Sequence, residues 1–233
     1  MFRAIIFDFD GVIVDSEPLI FRLTQGMAAQ EGWKLTEAEY YHRYLALDDA
    51  GIIEELYRSH GRTPDPIRRQ ELVAWKAKTY MEAIRHGLPL FPGALEFIRK
   101  VAAKYPLAIA SGSLRQEVEY LLTKADIRDQ FAILATAEDT SRSKPAPEIY
   151  SKALERLRSL PTFAKGPLGA SDCLTIEDAP AGIVAAHAAG MKCLALAHSR
   201  PAGELRHADW VCRNFVEVVE VLPELALEAS GGQ

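Results

Sequence analysis

From about residue 88 onward the chain alternates between short unbroken apolar runs and longer segments whose apolar positions recur three and four apart. "FPGALEFIRKVAAKY", "LRQEVEYLLTKADI", "APEIYSKALERLRSL", "PAGIVAAHAAGM" and "FVEVVEVLPELALEA" have the helical spacing. "PLAIAS", "FAILAT", "CLTIEDA", "KCLALA" and "ADWVC" are the apolar runs. Runs this short and continuous suit strands covered on both faces, and such strands pair in parallel beneath layers of helices. The pattern predicts an α/β fold, a doubly wound, Rossmann-like parallel sheet, with "AIIFDFD" as its first strand.

Between Ser16 and Gly87 the alternation stops. "PLIFRLTQGMAAQEG", "TEAEYYHRYLAL", "DAGIIEELYRSHG" and "PIRRQELVAWKAKTYMEAIRHG" each read as amphipathic helices, punctuated by Gly32, Gly61, Pro64 and Gly87. The expected organisation is a core formed by residues 1–15 and 88–233, with an α-helical module, residues 16–87, inserted after the first strand. Two short connections suit a lid hinged over the carboxyl edge of the sheet. A helical appendage fixed by packing is the plainer alternative. "SLPTFAKGPLGASD" reads as a surface loop and "EASGGQ" as a frayed tail.

Composition narrows the class without naming a chemistry. The 233 residues are 48% hydrophobic and 25% charged, as in ordinary globular domains. A net charge of −5 argues against nucleic acid as a partner. No apolar run approaches the roughly 20 residues needed to span a bilayer, so no membrane association is expected. The first residues lack the pattern of a signal peptide. Cys173, Cys193 and Cys212 lie in or beside apolar runs without metal-like spacing, which suits buried thiols and a cytoplasmic setting. A monomer or weak homodimer is expected.

The polar residues that follow each apolar run carry the chemistry, because open α/β sheets bind ligands beyond the carboxyl ends of their strands. Asp8 and Asp10 end the first run. Ser111, Gly112, Ser113, Leu114 and Arg115 follow "PLAIA", Ser143, Lys144 and Pro145 come after "FAILAT", and Glu177 and Asp178 close "CLTI". Taken alone, each is ordinary: an Asp-x-Asp or Ser-Gly-Ser turn, a Ser-Lys-Pro loop, or an acidic pair capping the helix near Pro180. Together they deliver several carboxylates, a hydroxyl and an ammonium to one edge. Clustered carboxylates repel unless a cation shares them, and oxygen donors suit Mg²⁺. A carboxylate there can serve as a nucleophile toward a phosphoryl group. Asp10, two residues on, emerges on the same side as Asp8 and can move a proton.

At these motifs the chain resembles the haloacid dehalogenase-like hydrolases. "DFDGVIVDSE", "IASGS", "SKPAPEIY" and "TIEDAPAGIVAAHAAGM" match the family's four motifs in order. The likeness extends to the phosphatase and beta-phosphoglucomutase-like branch with a helical cap. It implies a Mg²⁺-dependent phosphatase acting on a small phosphorylated metabolite, with a sugar phosphate as the family-level substrate. Asp8 is then the nucleophile that becomes an aspartyl-phosphate. Asp10 is the general acid and base, its main-chain oxygen also meeting Mg²⁺. Ser111 and Lys144 hold the phosphoryl group. Asp8 and Asp178 are metal ligands, with Glu177 binding directly or through water. Gly11 leaves room for the turn, and Gly112, Ser113, Arg115 and the Pro92-Gly93 loop lie near the substrate.

The same likeness weighs the alternatives. Dehalogenase and phosphonatase branches lack an acid at the position of Asp10. Sugar-phosphate mutases carry a His where this chain has Ile20, and a Lys and an Arg near Leu45 and Asp49; here Leu45, Asp48 and Asp49 stand instead. A mutase must hold a second phosphate, so hydrolysis is favoured over phosphoryl return, although Arg43, Arg58 or Arg115 could compensate. Receiver modules of signalling proteins share the acidic cluster, Lys and Mg²⁺, but place the accepting Asp after a later strand and have no cap. Tyr40, Tyr41, Tyr44, Tyr57, Trp75 and Tyr80 read mainly as cap core, and His187 as a helix-surface residue.

Overall fold

A computed structural model describes residues 2–44, 47 and 49–225. The chain divides into two compact units, Met1–Asp15 with Pro89–Gln233, and Ser16–Leu88. The strands are β1 (Ala4–Phe7), β2 (Leu107–Ala110), β3 (Phe131–Ala135), β4 (Cys173–Glu177), β5 (Lys192–Leu196) and β6 (Trp210–Cys212). The helices are α1 (Glu17–Gln30), α2 (Glu37–Arg43), α3 (Asp49–Ser59), α4 (Pro66–Ile84), α5 (Ala94–Ala102), α6 (Arg115–Lys124), α7 (Glu148–Arg158), α8 (Pro180–Ala188) and α9 (Phe215–Val221).

In the first unit the strands form one parallel sheet in the order β3-β2-β1-β4-β5-β6. The chain winds outward from β1 in one direction and then, through β4, in the other. The switch of direction therefore falls between β1 and β4, where such sheets open a crevice. All four β1 side chains are fully buried, which explains its unbroken "AIIF". On one face Ile6, Ala108 and Ala110 pack with Tyr150, Ala153 and Leu157 of α7 and Ile183 and Ala186 of α8. Phe7 meets Phe97 of α5 and Phe131 edge-on, with ring centroids 6.2 and 5.8 Å apart. Helix α5 buries Ala94, Phe97, Ile98 and Val101, the spacing read from its sequence. Each large side chain hidden this way contributes about 1.5–3 kcal/mol.

Two segments differ from the sequence reading. Residues in "SLPTFAKGPLGASD" are not all at the surface: Phe163 and Leu168 are buried in the core between short 3₁₀ turns. The last helical pattern breaks at Val221, because Pro223 cannot donate the backbone hydrogen bond that would continue the helix. The "EASGGQ" tail lies outside the described residues.

The outgoing and returning segments of this unit are paired. Val14 bridges Leu90, Phe91 N–H donates to the Ile13 carbonyl at 3.0 Å, and Asp15 N–H donates to the Pro89 carbonyl at 2.9 Å. Asp15 thus belongs to the exit strand pair.

The second unit is built from α1 to α4. Thr36 caps α2 with Glu39 in a reciprocal box, and Asp65 accepts from Ile67 and Arg68 N–H ahead of Pro66 to start α4. Met27, Tyr40, Tyr44, Ile52, Ile53, Leu56, Tyr57 and Leu72 form its core, with Ile20, Phe21, Trp33 and Trp75 packed against it. Tyr80 is also buried, whereas Tyr41, His42 and His86 are exposed. Lys76 of α4 is buried and ion-paired with Asp49. Leu45 and Asp48 lie outside the described residues. Among the described residues no helix is long and apolar enough to cross a membrane.

Candidate active site

Register brings the acidic residues together. Phe7 pairs with Ile109 on one side and Ile176 on the other, so Asp8 stands level with Ala110 and Glu177. The Asp8 N–H donates to the Ile176 carbonyl at 2.9 Å, extending the ladder to the edge of the sheet. The chain then turns. Ile13 and Val14 N–H both return to the Phe9 carbonyl, and Gly11, at φ +77°, donates to the Val14 carbonyl at 2.9 Å. A Cβ on Gly11 would fall 2.1 Å from Asp178 Oδ2, so a glycine is required by close approach as well as by backbone angle.

Lys144 bridges two of the carboxylates. Its Nζ lies 2.9 Å from Asp8 Oδ1 and 2.7 Å from Glu177 Oε1, and 5.0 Å above the Tyr150 ring. Glu177 is wholly buried yet saturated with donors. Oε1 accepts from Lys144 and from the Tyr150 hydroxyl at 2.5 Å, while Oε2 accepts from Asp178 N–H at 3.1 Å and Ala179 N–H at 3.3 Å. Gly182 of α8 makes space for it, since a Cβ there would lie 1.8 Å from Oε1. The Asp178 carboxylate accepts from the Ser199 hydroxyl.

The second acid and the hydroxyl loop form a neighbouring group. Ser113 Oγ donates to Asp10 Oδ2 at 2.5 Å, and Ser113 N–H donates to the buried Ser111 Oγ at 3.0 Å. Ser111 itself is tied to β3 through its N–H and the Ala135 carbonyl. Gly112 is exposed, and a Cβ there would meet nothing within 4 Å. Arg115 is directed elsewhere. Its guanidinium donates to Asp139 at 2.9 Å and to the Leu134 carbonyl at 3.3 Å, committing it to a network that Arg156 shares.

Electrostatics follow from burial and crowding. Burial, with Glu177 and Asp178 close by, holds the Asp8 carboxyl well above its usual range despite Lys144. Burial and then Glu177 push Asp178 up to about 7, against the opposing pull of Ser199, Arg200 and Lys144. Burial works against the Lys144 ammonium, but Asp8 and Glu177 overcome it and keep the group charged. Burial and Glu177 likewise raise the Tyr150 phenol, which stays a donor.

Ligand atoms of Asp8, Glu177 and Asp178 all lie within 4.8 Å of one another. The donors are hard oxygens, and burial, with neighbouring carboxyls close by, disfavours ionisation of Asp8 and Asp178. These residues fit a hard divalent cation. Asp8 and Asp178 are better placed to hold one than Glu177, whose lone pairs are already taken.

Three contributors escaped the sequence reading. Tyr150 sits in "SKPAPEIY" as one more apolar-periodic aromatic, and Gly182 as a small helical residue. Ser199 was findable: "KCLALA" also ends at this edge, and "HSR" is the polar group that follows it.

Comparison with known proteins accords with this geometry. The family described as haloacid dehalogenase-like hydrolase matches residues 5–196, and the chain belongs to it. It is 35% identical over 208 residues to Protein CbbY, plasmid, of Cupriavidus necator, covering 81% of this chain and 76% of that one. It is 31% identical over 191 residues to hexitol phosphatase B of Escherichia coli, covering 81% of each. The crystal structure of CbbY from Rhodobacter sphaeroides in complex with phosphate superposes with a TM-score of 0.79 at 25% identity, covering 94% of this chain and 96% of that one.

Proposed function

We propose that this haloacid dehalogenase-like hydrolase is a Mg²⁺-dependent phosphatase that releases phosphate from a small phosphorylated metabolite, a sugar phosphate being the favoured class, through an aspartyl-phosphate on Asp8. The observation that carries the reading is the Asp8 carboxylate held 2.9 Å from Lys144 Nζ inside a cluster of three carboxyls at the end of β1 and β4. The name of one relative, hexitol phosphatase B, supports the substrate class.

In the first step an Asp8 oxygen attacks phosphorus and the bond from phosphorus to the alcohol oxygen breaks. Asp10, oriented by Ser113, gives its proton to the departing oxygen. In the second step Asp10 takes a proton from water as the water oxygen attacks phosphorus. The Asp8–phosphoryl bond breaks, inorganic phosphate leaves, and both carboxyls return to their starting states. Lys144 and Ser111 would hydrogen-bond the phosphoryl oxygens as charge shifts onto them, each such donor being worth roughly 3–4 kcal/mol. Asp8, Asp178 and the Asp10 carbonyl would hold Mg²⁺, which when bound supplies positive charge to the phosphoryl oxygens and to the crowded carboxyls. Glu177 orients Lys144.

Release is favoured over return of the phosphoryl group. Ile20 packs against the core of the helical unit, and the Asp49 carboxylate neutralises Lys76. In the mutases that this chain resembles, a His stands at the position of Ile20, with a Lys and an Arg near Leu45 and Asp49. The helical unit would serve as the cap, residues 16–87. Three free, buried cysteines support a reducing compartment such as the cytoplasm.

Steady turnover of p-nitrophenyl phosphate that requires Mg²⁺, followed by phosphate release from a panel of sugar and polyol phosphates, tests the reading. A single stoichiometric uptake of phosphate would favour a switch. Conversion of β-glucose 1-phosphate to glucose 6-phosphate would make the enzyme a mutase.

A further inference from the structure

The residue that pins Asp178 comes from a segment to which none of the four sequence motifs extends. After β5 the chain runs Ala197-His198-Ser199-Arg200-Pro201 along the edge that carries Asp8. This strap is anchored on both sides of Ser199. Ala197 N–H donates to the Cys212 carbonyl at 2.8 Å. The His198 ring packs against Phe91 and Phe215, with centroids 4.2 and 5.6 Å away. The Arg200 side chain is 11% exposed and lies 3.9 Å from Glu204. A serine held this way has little freedom to move with its partner.

Its partner is closely confined. Ser199 Oγ donates to Asp178 Oδ2, and the Gly11 backbone packs so near the same oxygen that a Cβ would reach it at 2.1 Å. A carboxylate gripped at one oxygen presents the other in a set direction, and that is what a monodentate ligand to a small cation requires. We propose that Ser199 is a positioning residue for the cation site: its hydroxyl fixes one oxygen of Asp178 so that the carboxylate faces a hard divalent cation beside Asp8. This rests on the reading that Asp8 and Asp178 hold such a cation. Without the hydroxyl, Asp178 must lose rotational freedom on binding that it has already lost in the present chain, and it also loses a charge-assisted hydrogen bond.

Isothermal titration of the full-length protein with Mg²⁺, for wild type, Ser199→Ala and Ser199→Thr, tests this, with the melting temperature of each in EDTA as a second readout. The expected result is a dissociation constant raised about 10-fold in Ser199→Ala, the lower end of what lost outer partners of metal ligands cost, and restored to within about 3-fold by Ser199→Thr. Metal-free melting temperatures should differ by no more than the few degrees that one hydrogen bond is worth. An Ala variant that binds Mg²⁺ as the wild type does, a Thr variant as weak as Ala, or a metal-free destabilisation of the Ala variant well beyond one hydrogen bond would each overturn the role. Wild-type protein that takes up no Mg²⁺ would remove the cation reading and this inference with it. Wild-type binding with an unaffected variant would remove the inference alone.

Discussion

Glu177→Gln is the sharpest perturbation available in the core of the site, because it keeps shape and removes only charge and acceptor capacity. The native carboxylate takes four donors, Lys144 and Tyr150 on Oε1 and the Asp178 and Ala179 N–H groups on Oε2. An amide offers one oxygen and one NH₂. If its oxygen faces the backbone pair, the NH₂ points at an ammonium and a hydroxyl. If it is flipped, the NH₂ points at two backbone N–H groups. Either way two donors lose this acceptor around a side chain with no solvent access. Hydrogen bonds to charged groups are worth about 1.5–3 kcal/mol each, and breaking a buried ion pair from one side costs about 3–5 kcal/mol. The variant should therefore lose about 3–5 kcal/mol, or roughly 10 °C in melting temperature for a chain of this size. Tyr150→Phe, which removes one donor and leaves Lys144 on Oε1, should cost about 1.5–3 kcal/mol by the same reckoning. Urea denaturation in EDTA measures both without metal binding. A Glu177→Gln protein within about 1 kcal/mol of wild type would refute the claim that this carboxylate organises the site, since the smallest of the losses invoked exceeds that.

Other outcomes follow from the same contacts. Gly182→Ala should lower both stability and turnover, because the new Cβ meets Glu177 Oε1 at 1.8 Å and Glu177 has no room to yield; unchanged circular dichroism melting and unchanged turnover would count against that packing. Asp10→Asn should slow alkyl phosphates far more than p-nitrophenyl phosphate, whose leaving group needs no proton; an equal loss across leaving groups would remove Asp10 as the acid. The pH response of the metal-free protein has a definite sign. Asp178 is raised from 3.8 to about 7 in the fold, so its contribution is fully present below about pH 4 and is lost as pH rises toward 7, a change on the order of 4 kcal/mol, with Asp8 shifted the same way. Stability in EDTA that stays level or rises between pH 5 and 7.5 would contradict the crowding of these carboxyls.

Much of this architecture was legible because its period is simple. Strands buried on both faces leave unbroken apolar runs, and β1 through β6 all fall on the runs that the pattern picks out. The sheet-edge rule then collects Asp8, Asp10, Ser111, Lys144, Glu177 and Asp178 without any knowledge of contacts. What stayed hidden depends on three-dimensional approach. Gly182 matters through the Cβ atom it lacks, and nothing in a linear pattern separates it from any other small helical residue. Tyr150 looks like core until its hydroxyl is seen on Glu177. Arg115 follows a catalytic-looking Ser-Gly-Ser, yet Asp139, from a different segment, claims its guanidinium. The burial of Lys76 on α4 rests on its ion pair with Asp49, a contact that no linear pattern shows. The end of α9 at Val221 shows a local rule overriding periodicity, because proline stops a helix whatever the apolar spacing beyond it.

The central claim is a covalent bond between Asp8 and phosphorus, and borohydride trapping addresses it most directly. Enzyme quenched in acid during turnover of a good substrate should carry one phosphoryl group, and reduction of that acyl phosphate should convert Asp8 to homoserine in the peptide containing "FDFDG", as read by mass spectrometry. Asp8→Asn should yield neither product. Phosphate found on another residue, or undiminished turnover and trapping in Asp8→Asn, would contradict the account.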